Sequence, residues 1–195
     1  MKDYILGVDL GGTNIKAAAY RLESYEKVGE KRLPTQVEGG WEHVLDRVLA
    51  ALEELLRQTP RERVLCVGMG VPGLLDIEAG VSRFSPNFPQ WEDVPVAAWL
   101  GERLGLPVFI DNDVRVNLYG EWLFGAGRGL ENLVLLTLGT GLGSGIVLDG
   151  RVVESHALAI SRAGCEIVTA QLGDAAGMLG AAVYGARRMG EGARM

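Results

Sequence analysis

The amino-terminal part of the chain alternates short apolar runs with glycine-rich turns. Residues 4–9 form one apolar run and residues 15–20 a second, with Gly11 and Gly12 between them. Short apolar runs that end at glycines are typical of buried strands, so we predict two strands joined by a hairpin-like turn. A third strand is predicted over residues 27–33, where a proline ends it.

Helical spacing begins further along the chain. Apolar residues recur at helical spacing over residues 40–58, which predicts an amphipathic helix. Residues 94–104 and 114–124 are predicted as two more helices, each followed by a glycine that ends it. The remaining predicted strands are residues 63–69, 107–111, 133–138, 146–148 and 152–153. Strands that first form hairpins and then alternate with helices indicate a mixed α/β fold with a sheet and flanking helices.

An internal repeat refines this fold class. Residues 8–13 and 137–141 each place a glycine-rich turn between two apolar strands, and Asp149-Gly150 signals a further tight hairpin. A duplicated strand–turn–strand unit is the mark of the actin-like ATPase fold, also called ribonuclease H-like. Neither turn is a Walker A or Rossmann loop, because no Gly-Lys-Ser/Thr occurs and a strand rather than a helix follows each turn.

The composition narrows the class of protein. Of the 195 residues, 48% are apolar and 23% are charged, which suits a globular core. The net charge is −6, whereas a surface that binds nucleic acid is basic. The chain shows no signal-peptide pattern and no apolar run long enough to cross a membrane. We therefore expect a soluble cytoplasmic protein with neither nucleic acid nor membrane as a partner.

Residues that bind transition metals are sparse. Cys66 and Cys165 are far apart and lack metal-ligand spacing, so neither a disulfide framework nor a zinc site is predicted. His43 and His156 are solitary, and His43 falls on the polar side of the first predicted helix. No zinc is expected.

Three polar residues, Asp111, Asn112 and Asp113, follow a predicted strand and precede a predicted helix. A carboxylate at the carboxyl end of a strand is well placed to act as a base on a bound hydroxyl. The alternative is that the three residues only cap the helix. Since one cap does not need three such residues, the pattern favours a function for Asp113.

The two glycine-rich turns are suited to binding phosphate groups. Glycines let backbone N–H groups approach phosphate oxygens closely. Asp9, just before the first turn, is predicted to orient Mg²⁺ through water, because magnesium usually keeps several waters. The alternative for the first turn is an ordinary hairpin. The second turn, residues 139–145, holds more glycines than a two-residue hairpin needs.

Four segments resemble the sugar kinases of the ROK family (repressor, open reading frame, kinase), in the family's order. They are residues 8–16, 68–73, 110–113 with Gly120 and Glu121, and 136–145. One glycine-rich turn is a weak signal, but four segments in order are specific. The resemblance implies phosphorylation of a hexose, as by a glucokinase, with ATP and Mg²⁺ as cofactors.

The resemblance also implies roles for single residues. Asp113 matches the family's general base, and the sugar-side positions are Gly73, Asn87, Asn112 and Asp113 itself. A turn-forming Asn is an equally good interpretation of Asn87. The positions that match the first phosphate loop are Asp9, Gly11, Gly12, Thr13 and Lys16, and those of the second are Gly139, Thr140, Gly141 and Gly143.

The chain departs from the family after residue 153. Family members continue there through a Gly-Glu-Ile-Gly-His sugar-binding segment and several helices around the adenine, whereas here a segment that resembles the family's carboxyl end follows at residues 170–182. Glu166 echoes the sugar-binding glutamate only faintly. We expect a sugar-binding lobe at 1–125, a truncated nucleotide-binding lobe at 126–168 and a closing helix at 169–195.

Arg115 is a second departure, because many relatives have a small or amide side chain two residues after the base. An arginine there would either pair with Asp111 or Asp113 and lower a carboxylate's pKa, or lie exposed on the helix. We favour the exposed position.

Three functions remain open. The first is an ATP-dependent hexose kinase, with feeble turnover in a chain this short. The second is a non-catalytic remnant that binds sugar or a protein partner. The third, a transcriptional regulator, is disfavoured by the acidic charge and by the short stretch before Tyr4. A truncated lobe should expose strand edges, so a homo-oligomer is expected.

Overall fold

The computed structural model describes residues 2–138, 142–153 and 168–190. Within them the strands are β1 (Tyr4–Leu10), β2 (Asn14–Arg21), β3 (Lys27–Pro34), β4 (Val64–Val71), β5 (Leu74–Asp76), β6 (Val81–Phe84), β7 (Glu92–Val94), β8 (Val108–Asn112), β9 (Leu133–Leu138), β10 (Leu142–Leu148) and β11 (Arg151–Val152). The α-helices are α1 (Gly40–Leu56), α2 (Val96–Leu104), α3 (Asp113–Phe124) and α4 (Ala175–Arg188). The strands and helices predicted from the apolar pattern are present, with β10 starting earlier than expected.

The main sheet has five strands in the order β3-β2-β1-β4-β8. The glycine-rich turn after β1 lets the chain fold back at once, so β1, β2 and β3 form antiparallel hairpins. Helices α1 and α2 carry the chain back across the sheet, so β4 and β8 run parallel to β1. The carboxyl ends of β1, β4 and β8 consequently lie at one edge.

Helices cover both faces of this sheet. Alternate residues of a strand point to opposite faces. Leu6 and Val8 of β1 pack in the core with α1 and α2, whereas Ile5 packs with α4 on the other face. The apolar stripe of α1 predicted from helical spacing is the surface that it buries, and it includes Val44, Leu45, Val48 and Leu52.

Helix α4 contacts the sheet almost backbone to backbone. It is rich in alanine and glycine, and its residues 176–186 are all buried. A Cβ on Gly68 of β4 would lie 1.7 Å from the Ala181 carbonyl oxygen, and one on Gly7 of β1 would lie 1.9 Å from that of Met178. The glycines of the two strands therefore allow the helix to lie this close.

A buried carboxylate fixes the segment that leads into α4. Glu121, near the end of α3, accepts hydrogen bonds from the backbone N–H groups of Ala126 (2.9 Å), Gln171 (3.0 Å) and Leu172 (2.6 Å). Backbone groups without a partner are costly when buried, so this carboxylate serves three of them at once. It ties the carboxyl-terminal helix to the middle of the chain.

Two small sheets complete the described fold. The first, β5-β6-β7, was not predicted, and Val94 belongs to β7 rather than to α2. The second, β11-β10-β9, packs one face on α3, and its hairpin turn has φ values of 49° at Asp149 and 68° at Gly150. Positive φ at both positions is the geometry that Asp-Gly hairpins adopt, which confirms this turn. Among the residues described, no helix combines the length and the hydrophobicity that a membrane crossing requires.

Candidate functional site

The candidate site lies where the parallel strands β1, β4 and β8 end. The strand register pairs Asp9 with Gly70 and Gly70 with Asp111, so two aspartates flank one glycine across three neighbouring strands. Neighbouring strands are about 4.8 Å apart, so the two aspartate α-carbons are about 10 Å apart. The carboxyl ends of parallel strands are the usual place for a ligand crevice in an α/β fold.

Helix α3 begins directly over Gly70. A Cβ on Gly70 would lie 2.5 Å from Val116 Cγ2 and 3.4 Å from the Asp113 α-carbon. Because Gly70 has no side chain, the first turn of α3 can cross the strand ends at this distance. Asp113 is therefore held above the glycine that separates Asp9 from Asp111.

Asn112 is the N-terminal cap of α3. Its Oδ1 accepts a hydrogen bond from the Val114 N–H at 3.0 Å, as the capping hypothesis required of one residue in this group. The Val114 N–H also donates to Asp113 Oδ1, at 3.0 Å. Asp113 is the first helical residue, and burial raises the pKa of its carboxyl. A poorly solvated carboxylate is a stronger base than an exposed one, which suits proton abstraction.

Asp9 lies at the carboxyl end of β1, at the same edge of the sheet. Burial raises the pKa of Asp9 to about 6, with further contributions from the negative charges of Asp113 and Asp174, while Lys16 lowers it. Lys16 lies opposite Asp9 in the first hairpin, with its Nζ 3.9 Å from Asp9 Oδ2. Since Asp113 contributes to the pKa of Asp9, the two carboxylates lie within electrostatic reach of each other at the carboxyl ends of the strands.

The first glycine turn is anchored on one side and open on the other. Thr35 donates its N–H to the Thr13 carbonyl at 2.8 Å and its hydroxyl to the Gly11 carbonyl at 2.6 Å. Gly12 and Thr13 are exposed, and a Cβ on Gly12 would meet no atom within 4 Å. This arrangement leaves the tip of the turn accessible to a phosphate group.

Most of the second glycine turn lies outside the described residues, namely Gly139, Thr140 and Gly141. Gly143 is in β10, where a Cβ would lie 2.5 Å from Val114 Cγ2. Close packing against α3 therefore explains this glycine. The same contact places β10 beside the first turn of α3, next to Asp113.

The predicted sugar-side residues Gly73 and Asn112 are neighbours. Gly73 has φ 103°, a conformation that favours glycine, and its carbonyl accepts a long hydrogen bond of 3.5 Å from Asn112 Nδ2. A Cβ on Gly73 would lie 2.2 Å from the Phe84 carbonyl oxygen, just before the loop that carries Asn87. Asn87 itself is exposed. Gly73 thus connects the end of β8 with the loop of Asn87.

Arg115 corrects one expectation. Its side chain is only 15% exposed, and its Nε donates to Asp111 Oδ1 at 2.7 Å, so it is not a surface arginine. It pairs with Asp111 rather than with Asp113. The pKa of Asp111 is nevertheless raised, because burial outweighs the attraction of Arg115.

The residues of the crevice fit a magnesium ion held largely by water. Within the described ranges, no three His, Cys, Asp or Glu side chains are close enough to hold a metal directly. Asp9 offers one partly buried carboxylate, and magnesium in phosphate sites typically takes one or two carboxylates plus waters. His43 is exposed and lies 3.3 Å from Gln36 Oε1. His156, Cys165 and Glu166 lie outside the described residues.

Two site residues escaped the sequence analysis, and both come from the start of α4. Asp174 Oδ1 accepts a hydrogen bond from Lys16 Nζ at 3.0 Å. A Cβ on Gly177 would lie 2.7 Å from Asp9 Oδ2, so the Asp9 carboxylate rests against this helix. The glycine-rich segment around them resembled the family's carboxyl end, but its place beside β1 depends on tertiary packing.

Comparisons with known proteins agree with this architecture. A model described as the ROK family matches residues 5–159. A glucokinase from Thermotoga maritima is 42% identical over 152 residues, which cover 78% of this chain and 47% of that protein. The solved structure of a ROK family glucokinase from Streptomyces griseus, in complex with glucose and AMPPNP, matches with a TM-score of 0.71 at 31% identity, over 78% of this chain and 47% of that one.

A regulator also matches. The solved structure of a ROK family transcriptional regulator, a homologue of the E. coli MLC protein, has a TM-score of 0.67 at 26% identity and covers 95% of this chain and 48% of that one. The chain spans about half the length of the relatives it matches. The likeness to solved ROK sugar kinases, together with the mixed sheet and its flanking helices, confirms the predicted actin-like ATPase fold.

Proposed function

This chain belongs to the ROK family, and we propose that it carries the sugar-binding side of an ATP-dependent hexose kinase of the glucokinase type. The described residues that support this proposal converge on the edge of the main sheet. We assign residues 1–125 to the sugar-binding lobe, 126–168 to a shortened nucleotide-binding lobe and 169–195 to the closing helix. A cytoplasmic location and a homo-oligomeric state are part of the proposal.

Asp113 is the proposed general base. It would accept the proton of the sugar hydroxyl that becomes phosphorylated, and its burial over Gly70 favours that proton transfer. Asn112 and Gly73, joined by their long hydrogen bond, would orient the sugar beside it. Asn87, in the neighbouring exposed loop, would contact the sugar from the other side.

The first glycine turn forms the proposed phosphate side. Bound ATP would supply the phosphoryl group. Asp9 would orient Mg²⁺ through water, and the turn Gly11, Gly12 and Thr13 would donate backbone N–H groups to phosphate oxygens. Lys16 would add positive charge beside Asp9. Gly139, Thr140, Gly141 and Gly143 are the proposed second phosphate loop.

The observation that carries the proposal is the position of Asp113, within electrostatic reach of Asp9 and next to Asn112. We test it with calorimetric titration of glucose and of Mg²⁺–AMPPNP, together with an assay coupled to ADP release. Asp113→Asn keeps the shape of the side chain but removes the base. Asp46→Asn, an exposed position on α1, is the matched control.

We expect glucose binding and slow ADP release in the unmodified chain, and at least about a hundredfold loss of ADP release in Asp113→Asn, as for a general base. Asp46→Asn should behave like the unmodified chain. Equal ADP release from both variants would overturn the assignment of Asp113. Turnover is expected to be slow, because closing two lobes around the substrate excludes water and completes a site.

A non-catalytic sugar-binding remnant is the second candidate. It is favoured by the exposed leucines of β9, with Leu136 59% and Leu138 88% exposed. Glucose binding without any Mg²⁺–AMPPNP binding would support the remnant over the kinase. Binding of neither ligand would remove both candidates.

A further inference from the structure

We infer that Asp174, in the turn before α4, is a positioning residue that holds the Lys16 ammonium beside the Asp9 carboxylate without letting it close on that carboxylate. This inference rests on the proposed function, because it concerns the phosphate side of that site. It means that a residue at the start of the carboxyl-terminal helix affects the first glycine turn, although Asp174 and Lys16 are 158 residues apart in sequence.

The distances define the arrangement. Lys16 Nζ lies 3.0 Å from Asp174 Oδ1 and 3.9 Å from Asp9 Oδ2. The first distance is that of a charge-assisted hydrogen bond, and the second is too long for one. The ammonium therefore bonds to the Asp174 carboxylate and remains only an electrostatic neighbour of the Asp9 carboxylate.

The Asp174 carboxylate is itself oriented. Its Oδ2 accepts a hydrogen bond from Arg32 Nη1 on β3 at 2.9 Å, which directs the other oxygen towards Lys16. The neighbouring strands β2 and β3 thus supply the two cations, and the turn before α4 supplies the acid between them. This chain of contacts orients Lys16, whose side chain is 21% exposed, through an Asp174 side chain that is 60% exposed.

The first turn of α4 also contacts the Asp9 carboxylate. Gly177 lies three residues after Asp174, one helical turn away, and a Cβ there would lie 2.7 Å from Asp9 Oδ2. The absence of a side chain at this position leaves room for the carboxylate. A single helical turn therefore contacts both members of the Asp9 and Lys16 pair.

This arrangement has a chemical consequence for the proposed magnesium ligand. If Asp174 lost its charge, the nearest remaining acid for Lys16 would be Asp9, less than 1 Å further away than Asp174 is now. A direct Lys16 to Asp9 ion pair would neutralise the carboxylate that the metal needs. Changes in the groups around a metal ligand typically weaken metal binding about tenfold or more, and here the change would act on Asp9 through Lys16.

The first experiment uses the full chain without ligands. The side-chain ammonium signal of Lys16 is recorded in ¹H–¹⁵N spectra at low temperature, assigned with Lys16→Arg, and compared among variants. We expect the signal to shift or vanish in Asp174→Asn and to be retained in Asp174→Glu, which keeps the charge. Asp76→Asn is the control, because Asp76 also pairs with an arginine, Arg83, at 2.6 Å. An unchanged Lys16 signal in Asp174→Asn would overturn the inference.

The second experiment measures Mg²⁺–AMPPNP and glucose affinities of the same variants by calorimetry. Asp174→Asn should weaken Mg²⁺–AMPPNP binding about tenfold and leave glucose binding unchanged, and Asp174→Glu should recover most of the loss. Equal nucleotide affinity in Asp174→Asn and the unmodified chain would contradict the inference. If the unmodified chain binds no Mg²⁺–AMPPNP, the proposed function fails, while the ammonium spectra still decide whether Asp174 positions Lys16.

Discussion

The main sheet with α4 and the small sheet of β9, β10 and β11 stand on either side of Asp113, and they are packed very differently. On the main-sheet side, strands and helix meet at backbone distance, as at Gly68 and Ala181. On the small-sheet side, β9 is an edge strand, and Leu138 is 88% exposed. The small sheet is held by one face on α3, through Gly143 and Gly145.

This difference in packing distinguishes the sugar side of the proposed site from its second phosphate side. The geometry of Asp9 and Asp113 is fixed by elements that have almost no freedom to shift, since a contact between backbones cannot be relieved by rotating a side chain. The second glycine turn leads into a sheet with few contacts. Sugar-side geometry should therefore survive changes in the small sheet, whereas the second phosphate side should not.

The largest effect is expected for an added methyl group at the contact between the main sheet and α4. Gly68→Ala would place a Cβ 1.7 Å from the Ala181 carbonyl oxygen, so strand and helix would have to separate. We expect a loss of about 3 kcal/mol or more in the free energy of unfolding, measured by urea denaturation.

Gly145→Ala is the matched change in the small sheet. There the Cβ would lie 3.2 Å from Leu118 Cδ2 and 3.3 Å from Leu118 Cβ, contacts that a shift of a few tenths of an ångström relieves, so a cost below about 1 kcal/mol is expected. Similar costs for the two substitutions would contradict the contrast in packing.

The sequence predicted the main sheet well because its elements carry strong local signals. The apolar run of β1 and the helical stripe of α1 are each consistent over their full length. By contrast, β5, β6 and β7 are only three or four residues long, and Leu74 and Phe84 at their ends are exposed. Such strands are made by pairing with each other, which a single stretch of sequence does not reveal.

The positions of Asp9 at the end of β1 and of Asp113 directly after β8 follow from the apolar runs before them, and their functional roles stay predictions. The ion pair of Arg115 with Asp111 was weighed but not favoured, because one helical turn of spacing allows the pair without requiring it. Asp174 was missed, since its partner Lys16 is 158 residues away. Contacts of that kind come from the register of α4 on the sheet, which rests on its many small residues.

The second prediction concerns the main-sheet side, where the buried Asp9 carboxyl should make the stability of the chain depend on pH. Burial raises the pKa of Asp9 from 3.8 to about 6, so the ionised carboxylate is disfavoured in the folded chain. Below about pH 4, Asp9 is largely protonated in the folded and in the unfolded chain, so its burial costs little. As the pH rises from about 4 through 6, the unfolded chain ionises Asp9 more readily than the folded chain, and the free energy of unfolding falls. Asn resembles the protonated acid, so Asp9→Asn should be more stable than the parent by about 3 kcal/mol at pH 7.5 and about equal at pH 4.

Urea denaturation of both proteins at pH 4, 5, 6 and 7.5 measures this difference directly. The parent and the variant share all other titrating groups, so the change of the difference with pH reports on position 9. A difference that does not vary with pH would show that Asp9 is well solvated, and the main-sheet side of the crevice would then be more open than its packing indicates.

The smallest effect on stability is expected on the small sheet, where the same test separates folding from association. Leu138→Lys replaces a side chain that is already 88% exposed at the edge strand β9, so the free energy of unfolding should change by less than about 0.5 kcal/mol. Charged residues on an edge strand oppose pairing with another chain, so the variant should remain monomeric at concentrations where the parent associates.

Leu74→Lys, at a position 66% exposed on β5, is the matched control and should leave association unchanged. Light scattering over a concentration series measures the association of the parent and of the two lysine variants. A monomeric parent would show that the open edge of β9 does not drive association, and equal association in the two lysine variants would place the contact elsewhere on the surface.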